Sequence, residues 1–191
     1  MTRHLAVLII CIWVTGCAVA PPTTTSLDTN QPLVKWTAKG RIAFDDGNEK
    51  FSATVTWKQD QKQYDARLSK LIGGTLLYLV QEPLIVRMEV DDKQYRDIDA
   101  ELLIRRVFGW DIPVSSFPNW LLAKPNEKQL QPGSVESQDG KIKRFTTEQG
   151  WLVSYQSYQQ VRGIELPKRL QIKKDNIKIK LRISEWRLHD I

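Results

Sequence analysis

The side chains that most enzymes use as nucleophiles and metal ligands are scarce in this sequence. It contains two cysteines, Cys11 and Cys17, and two histidines, His4 and His189. A Ser-His or Cys-His nucleophile requires an imidazole beside it, and the common zinc sites require several His or Cys ligands. A glycine-rich phosphate loop of the Walker type is also missing from the sequence. We therefore expect no catalysis, no metal site and no cofactor.

Carboxylates are the remaining candidates for acid–base chemistry. Asp91, Asp92, Asp97 and Asp99 lie close together in the sequence, so a catalytic pair is conceivable. They fall, however, in an expected turn and at an expected helix N-terminus, where acidic residues commonly have structural roles. We favour the structural interpretation.

The longest apolar run, residues 5–14, lies near the start of the chain. It is shorter than the roughly 20 residues that span a bilayer, and it follows a short polar start, as in an export signal. The sequence VTGC, which ends at Cys17, looks like a lipobox, the cleavage and lipidation site of bacterial lipoproteins. We expect a signal peptide at residues 1–16 and lipid on Cys17. The alternative is an ordinary signal peptide that happens to contain this cysteine.

The residues after Cys17 predict how the protein is held in the envelope. Ala18 follows the cysteine, whereas the resemblance to enterobacterial lipoproteins implies that an aspartate there would retain the protein in the inner membrane. We therefore expect a lipid-anchored outer-membrane protein that faces the periplasm. Residues 17–34 are small, polar and proline-bearing, which is typical of a flexible tether. Residues 35–191 are enough for one domain.

Charge gives little information about partners, because the formal net charge of +6 is a mild excess. In the most basic stretch, Lys178, Lys180 and Arg182 alternate with apolar residues, which places the charges on one face of a strand. This pattern indicates a solvated outer face, with attraction to anionic headgroups or to an acidic partner as the alternative. We do not expect an exported protein to bind nucleic acid.

Alternation with period two predicts strands from Trp36 onwards. The apolar members are Phe51, Ala53, Val55 and Trp57 in one run, Leu76, Tyr78 and Val80 in a later run, and Leu84, Val86, Met88 and Val90 in a third. Asp91 and Asp92 should close this first meander. Strand patterns return at residues 141–147, 151–155, 166–173 and 177–186.

Two helices are predicted between the strand groups. Leu103, Val107 and Trp110 have helical spacing, with Asp99 as N-cap and Gly109 near the C-terminus. Ile98 before the cap should pack against Leu103 as a hydrophobic staple. A shorter helix is predicted at residues 116–122, with Pro118 in its first turn. The order of strands, helices and strands predicts an α+β domain on a large antiparallel sheet.

The area of this sheet exceeds what the helices can cover. Ten or so strands at about 4.8 Å spacing, each about 17 Å long, present on the order of 800 Å² on one face. Two short helices, each about 10 Å wide, cover only part of that area. The excess apolar face must curl on itself, pair with another chain or line a cavity, and periodicity does not choose among these outcomes.

These features together resemble the outer-membrane lipoprotein receptor family LolB across nearly the whole expected domain. The matching features, in chain order, are Gly40 before a strand at 42–44, the strand at 51–57, the strand at 64–68 and its glycine-containing loop, Asp99-Ala100-Glu101, Gly109-Trp110 with Pro113, Trp120 with Pro125, Gly150-Trp151 with Val153 and Tyr155, Pro167, and residues 179–181 with Trp186. Two departures are a segment before Trp36 that is short for the family's N-terminal helix and contains Pro32, and Ala123 where a glycine is common.

The resemblance implies an open half-barrel, folded over by two or three short helices, that encloses a hydrophobic cavity. It implies a protein that accepts acylated lipoproteins from the periplasmic carrier LolA and inserts them among the outer-membrane lipids. We expect a monomer. A lipoprotein of the same fold that binds another envelope lipid or glycolipid is the alternative. The family's membrane-delivery loop corresponds to residues 69–74, with Ile72 before the glycine and Leu71 in place of the usual proline. Ile72 could instead fold into the core.

The candidates for the cavity lining are large apolar residues of the expected inner face and lid. They are Phe44, Trp57, Leu68, Tyr78, Val86, Met88, Leu103, Val107, Trp110, Trp120, Trp151 and Tyr155. For each tryptophan, plain packing in the core is the alternative. Trp110 and Trp120 are favoured for the cavity because they lie near the helix ends.

Overall fold

The structure is a computed structural model that describes residues 32–189. The expected signal peptide, Cys17 and most of the expected tether lie outside the described residues. Within them, the elements are β1 (Lys35–Asp45), β2 (Lys50–Asp60), β3 (Gln63–Ser69), β4 (Thr75–Gln81), β5 (Val86–Val90), β6 (Lys93–Asp97), α1 (Ala100–Phe108), α2 (Phe117–Leu121), β7 (Glu136–Gln138), β8 (Lys141–Thr146), β9 (Leu152–Val161), β10 (Ile164–Lys174) and β11 (Ile177–Leu188).

The strands form one eleven-stranded antiparallel sheet in the order β6-β5-β4-β3-β2-β1-β11-β10-β9-β8-β7. Each strand lies beside its neighbour in the chain within two meanders, β1–β6 and β7–β11. The meanders join where the first and last strands, β1 and β11, pair along most of their length. Both helices lie in the connection between the two meanders, and both pack against the same face of the sheet.

Strict alternation separates an inner from an outer face. Along β2, Ala53, Val55 and Trp57 are buried, whereas Ser52 and Thr54 are exposed. The pattern of β11 is the same, with buried apolar residues alternating with exposed polar ones. The strands predicted from the period-two pattern at these positions are confirmed, and so is the α+β class with a large antiparallel sheet.

Ring contacts across α2 show that the sheet is curved. Trp57 on β2 contacts Phe117 at 6.2 Å between centroids, Phe117 contacts Trp120 at 5.6 Å, and Trp120 contacts Phe145 on β8 at 6.2 Å. In the sheet order, β2 and β8 are five strand spacings apart, which is about 24 Å in a flat sheet. Three ring contacts of this length are too short for that span. The sheet therefore curves around the helix.

The ends of α1 follow the predicted capping signals. The side chain of Asp99 accepts a hydrogen bond of 2.9 Å from the backbone N–H of Leu102, and Gly109 ends the helix with a left-handed φ of 74°. The predicted staple is wrong, because the side chain of Ile98 is 81% exposed while Leu103 is fully buried. Helix α2, preceded by a 3₁₀ turn at Val114–Ser116, confirms the second predicted helix.

Several elements differ from the prediction. Asp91 and Asp92 form a hairpin turn with positive φ values instead of ending the meander, and β6 follows them. Strand β6 is an edge strand and has a single large apolar residue, Tyr95. The alternation of apolar and polar residues is therefore too weak to predict a strand there. Strand β7 is wholly exposed and was missed for the same reason. Leu84, predicted in a strand, lies before β5 and is 86% exposed.

Candidate functional site

An apolar cavity of about 110 Å³ lies between the inner face of the sheet and the segment that carries both helices. We call residues 100–122 the lid. Every lining side chain is apolar: Ala38, Ile42, Phe44, Phe51, Val55, Trp57, Ala66, Leu68, Leu77, Leu79, Ile104, Phe108, Trp110, Ile112, Val114, Phe117, Leu121, Ile179, Leu181 and Ile183. A cavity of this composition favours hydrocarbon over water.

The register of adjacent strands builds the floor of the cavity. Phe44 on β1 lies directly between Phe51 on β2 and Ile179 on β11, and Ile42 lies beside Leu181 in the same way. Side chains directly opposite each other on adjacent strands point to the same face. The rings of Phe44 and Phe51 are stacked at 5.2 Å between centroids. The floor is thus a continuous apolar surface contributed by both ends of the chain.

The lid closes the cavity mainly through aromatic contacts. Trp110 lies 4.2 Å from Phe44 and 4.7 Å from Phe108, measured between ring centroids. On α2, Phe117 contacts Trp57 of the floor. These contacts are apolar and non-directional, so they hold the lid without fixing a single geometry.

Two hydrogen bonds tie the lid to the sheet, one in the segment after α1 and one in α2. The indole N–H of Trp110 donates a 2.8 Å hydrogen bond to Asp46 in the β1–β2 turn, and the hydroxyl of Tyr155 donates a 2.7 Å bond to the carbonyl of Trp120. The backbone N–H groups of Glu49 and Asn48 also donate to the Asp46 side chain, and they lower its pKa. Burial raises the pKa of Tyr155, so its hydroxyl remains a donor.

The cavity is small for a lipid ligand. Pockets that bury small molecules typically measure about 300–1,000 Å³, compared with about 110 Å³ here. The space between the lid and the floor is therefore small, and we expect the lid to move away from the floor if a ligand of acyl-chain size is to enter.

Of the residues predicted to line the cavity, Phe44, Trp57, Leu68 and Trp110 do so. Trp120 on α2 faces away from the cavity and packs with Trp151, Tyr155 and Phe145 in an adjoining aromatic cluster. The other predicted residues away from the lining are Val86, Met88 and Leu103, which are fully buried, and Val107, which is half-buried. These residues fill the interior around the cavity by packing.

Tyr78 lies on the outer face of the sheet, contrary to the prediction. It pairs across the strands with Arg67, whose guanidinium lies 4.4 Å from its ring centroid, and its hydroxyl donates to Asp65. The residues of β4 that face the cavity are Leu77 and Leu79. Both alternate sets of this strand are apolar, so the sequence pattern does not select a face, and a shift of one residue exchanges the two.

Apart from Trp110, the lid residues that line the cavity were not predicted from the sequence. On α1 the cavity is lined by Ile104 and Phe108, which are each one position after the predicted Leu103 and Val107. Both pairs have helical spacing, and only packing against the sheet distinguishes them. On α2, the apolar residues from Phe117 onwards could have been predicted to face the cavity, because they continue the helical spacing of apolar residues.

The β3–β4 loop projects away from the core beside the cavity. Ile72 is 95% exposed and Leu71 is 58% exposed, so neither side chain packs in the interior. The loop is closed by a 3.0 Å hydrogen bond from the backbone N–H of Lys70 to the carbonyl of Gly74. It begins after Leu68, which lines the cavity. An exposed apolar tip therefore lies next to the apolar interior.

The acidic candidates Asp97 and Asp99 have structural roles, and His189 lies away from the cavity. Asp99 caps α1, Asp97 forms an ion pair with Arg106, and His189 contacts Thr37 outside the cavity. Within residues 32–189, no group of three or more His, Cys, Asp or Glu could hold a metal ion. No helix in this part of the chain is long and apolar enough to cross a membrane.

The curved sheet, the short helical lid and the apolar cavity define the class of the protein as an antiparallel half-barrel with a hydrophobic interior. A solved structure of a LolA superfamily protein from Nitrosomonas europaea has a similar fold, with a TM-score of 0.51 and 12% sequence identity over 84% of this chain and 89% of that one.

Sequence comparisons identify the family. The family model "Outer membrane lipoprotein LolB" matches residues 34–186. The outer-membrane lipoprotein LolB of Shewanella frigidimarina is 31% identical, with 96% of this chain and 92% of that protein covered. The protein of the same name from Shewanella loihica is also 31% identical, with 90% and 81% covered. The chain belongs to the LolB family.

This membership establishes the general role. The chain is an outer-membrane lipoprotein, lipid-anchored and facing the periplasm, with a receptor role in lipoprotein localization. Its family implies lipoprotein cargo and involvement in the LolA pathway. It is not an enzyme.

Proposed function

We propose that the protein accepts acylated lipoproteins from the periplasmic carrier LolA and inserts them into the outer membrane. The observation that supports this proposal most directly is the neighbourhood of two features. A cavity lined only by apolar side chains lies beside a loop whose tip, Ile72, is 95% exposed. The cavity shelters acyl chains, and the loop meets the membrane that receives them.

The energetics of acyl chains require such a shelter. Each methylene exposed to water costs about 0.8 kcal/mol, so a chain of a dozen methylenes costs on the order of 10 kcal/mol. Free diffusion between carrier and membrane is therefore too slow to be useful. Direct handoff from cavity to cavity keeps the chains covered, and it runs downhill if this cavity binds them more tightly than the carrier does, and the membrane more tightly still.

Ile72 carries the delivery step in this proposal, with Leu71 beside it. The apolar side chain enters the lipid interface while Lys70 remains among the headgroups. Replacing Ile72 by Glu places a charge at the tip without touching the cavity. We expect the Ile72→Glu variant to take lipoproteins from the carrier at the wild-type rate and to release them into liposomes at least about tenfold more slowly.

Leu84→Glu is the matched control, because Leu84 is also a highly exposed apolar residue and lies in a different loop. Both variants should keep the wild-type free energy of unfolding within about 0.5 kcal/mol. Unchanged release for Ile72→Glu, or equal loss in the two variants, would remove the delivery role from this loop. A cavity that retains another envelope lipid and never accepts lipoproteins would replace the proposed function with lipid storage.

Anchoring through Cys17 completes the proposal. The sequence VTGC after an apolar run supports cleavage before this cysteine and lipid on its thiol. Residues 17–34 then act as the tether of the domain. Mass spectrometry of the mature protein should find an acylated N-terminal Cys17. An intact, unacylated cysteine in the mature chain would rule this anchor out.

A further inference from the structure

Three arginines lie side by side on the outer face of the sheet. Arg41 on β1 is directly opposite Arg182 on β11, and Arg182 is directly opposite Arg169 on β10. All three side chains are exposed. Because neighbouring strands are about 4.8 Å apart, these residues form a continuous line of positive charge across three strands. We call them the arginine row.

The arginine row has no acidic neighbour to balance it. Like charges placed directly opposite each other destabilise a sheet. Two other basic residues of the outer face have acidic partners, Lys39 with Glu185 and Lys58 with Asp65. Among residues 32–189, no acidic side chain forms an ion pair with the arginine row. The fold therefore keeps a repulsive cluster that a bound anion would relieve.

The arginine row borders the same groove as the exposed loop. This groove, of about 540 Å³, is lined by the three arginines, by Lys180 and by Leu71. Between them lie Ala43 and Ser52, which pair across β1 and β2 and whose small side chains leave the groove open. A cationic surface and an apolar loop tip thus face the same space.

We propose that the arginine row and the β3–β4 loop together bind the anionic phosphate headgroups of a membrane, so that the outer face of the sheet at β1, β10 and β11 lies against the lipid surface. Guanidinium groups bind phosphate through paired hydrogen bonds. Ile72 then enters the apolar layer beneath the headgroups, a contact that an acidic protein partner would not need. This inference rests on the proposed delivery role of the loop and specifies the lipid class that the loop meets.

The test uses the complete lipid-anchored chain in vesicles, without carrier or cargo. An environment-sensitive fluorophore is attached at Gln171→Cys, because Gln171 lines the groove. The vesicles are phosphatidylcholine alone, or phosphatidylcholine with about one third phosphatidylglycerol. We expect a blue shift of the emission only with phosphatidylglycerol, and we expect added salt to reduce it.

The triple variant Arg41→Gln, Arg169→Gln, Arg182→Gln should lose this shift. Each basic side chain near an anionic surface changes the binding equilibrium roughly fivefold, so the three together are worth on the order of a hundredfold. The control is Lys62→Gln, Arg96→Gln, Lys143→Gln, which removes the same charge at exposed positions outside the groove. It should keep the shift. Arg182→Gln alone serves if the triple variant does not fold, and it should weaken the shift about fivefold.

The proposal is overturned if the wild-type label gives no shift with phosphatidylglycerol, or if both triple variants lose it equally. It is also overturned if the arginine variant keeps the shift but no longer takes cargo from the carrier, because the row then serves a protein partner. If the label gives no blue shift while the protein still transfers lipoproteins, this inference fails and the proposed function stands. If the label shifts but the wild-type protein transfers no lipoproteins, only the proposed function is contradicted.

Discussion

Gly40 lies at a close approach between β1 and β11. A Cβ atom at this position would be 2.1 Å from the carbonyl oxygen of Arg182, far inside contact distance. The strand register shifts between Lys39 and Gly40, so the backbone of β11 bulges towards this residue. The joint between the two meanders, which carries both the cavity floor and the arginine row, therefore depends on the absence of a side chain here.

Gly40→Ala should destabilise the protein by about 2–4 kcal/mol, because the clash involves backbone on both sides and cannot be relieved by a side-chain rotation. Urea unfolding would measure it. Gly73→Ala is the control, since its Cβ would meet nothing within 4 Å and only the positive φ of 65° opposes it. That control should lose about 1 kcal/mol. A smaller loss for Gly40→Ala than for the control would contradict the close approach.

At the scale of the elements, a hydrogen bond from Trp110 to Asp46 holds the lid to the sheet. We call this hydrogen bond the latch. The Asp46 carboxylate is positioned by the backbone N–H groups of Asn48 and Glu49, so the β1–β2 turn presents a fixed acceptor to the indole. The remaining contacts of Trp110 with Phe44 and Phe108 are apolar. The latch is thus a directional contact between the sheet and the segment that follows α1.

Removing the latch should make the lid open more often. In the Asp46→Ala variant we expect amide exchange in residues 110–114 to be about tenfold faster and uptake of an acyl probe to be correspondingly faster, since the hydrogen bond from Trp110 is lost together with the two that hold the turn. Asp45→Ala is the matched control, because Asp45 lies in the same turn and pairs with Lys50 without contacting the lid. Equal effects in both variants would show that the turn, and not the latch, controls the lid.

The latch should also respond to pH in one direction. The pKa of Asp46 is lowered by the backbone N–H groups of Glu49 and Asn48. A group whose pKa is lowered by folding stabilises the native contact above its unfolded pKa, and that contribution is lost as the pH falls through the lowered value. Acyl-probe uptake by the wild type should thus stay constant from pH 8 to about 5 and rise only below about pH 4.

On the scale of the whole molecule, a large sheet supports a small layer of short helices. The eleven strands are joined edge to edge without interruption, whereas the lid contains helices of nine and five residues. Helices shorter than about 12–15 residues are marginal without packing. Since a cavity of about 110 Å³ is too small for acyl chains, we expect any opening to occur in the lid and not in the sheet.

Hydrogen exchange of the intact protein would check this division. We expect amides of the lid to exchange at least tenfold faster than those of β1, β2 and β11, and a bound acylated lipoprotein to change protection mainly in the lid. The control is a protein without acyl chains, added in place of the lipoprotein. It should leave the protection of the lid amides unchanged. If β1 or β11 lost protection first, the half-barrel itself would open and the lid would not be the gate.

The accuracy of the sequence analysis varied with how local each signal was. Asp99 and Gly109 predicted both ends of α1, because a capping side chain and a left-handed glycine act within one helical turn. The alternation of β2 predicted its faces, because its polar and apolar residues differ strongly. Tyr78 was placed on the wrong face because both faces of β4 are apolar, and edge strand β6 was missed because it buries little.

By itself, the sequence determined the chemistry and the parts: few catalytic groups, an apolar run ending at Cys17, amphipathic strands and two short helices between them. Only the tertiary structure decided that the lid leaves a cavity of about 110 Å³, and that Arg41, Arg169 and Arg182 form one row beside Leu71. These results depend on strand register and sheet curvature. Both are set by contacts between segments far apart in the chain, such as the pairing of β1 with β11, and no local pattern encodes them.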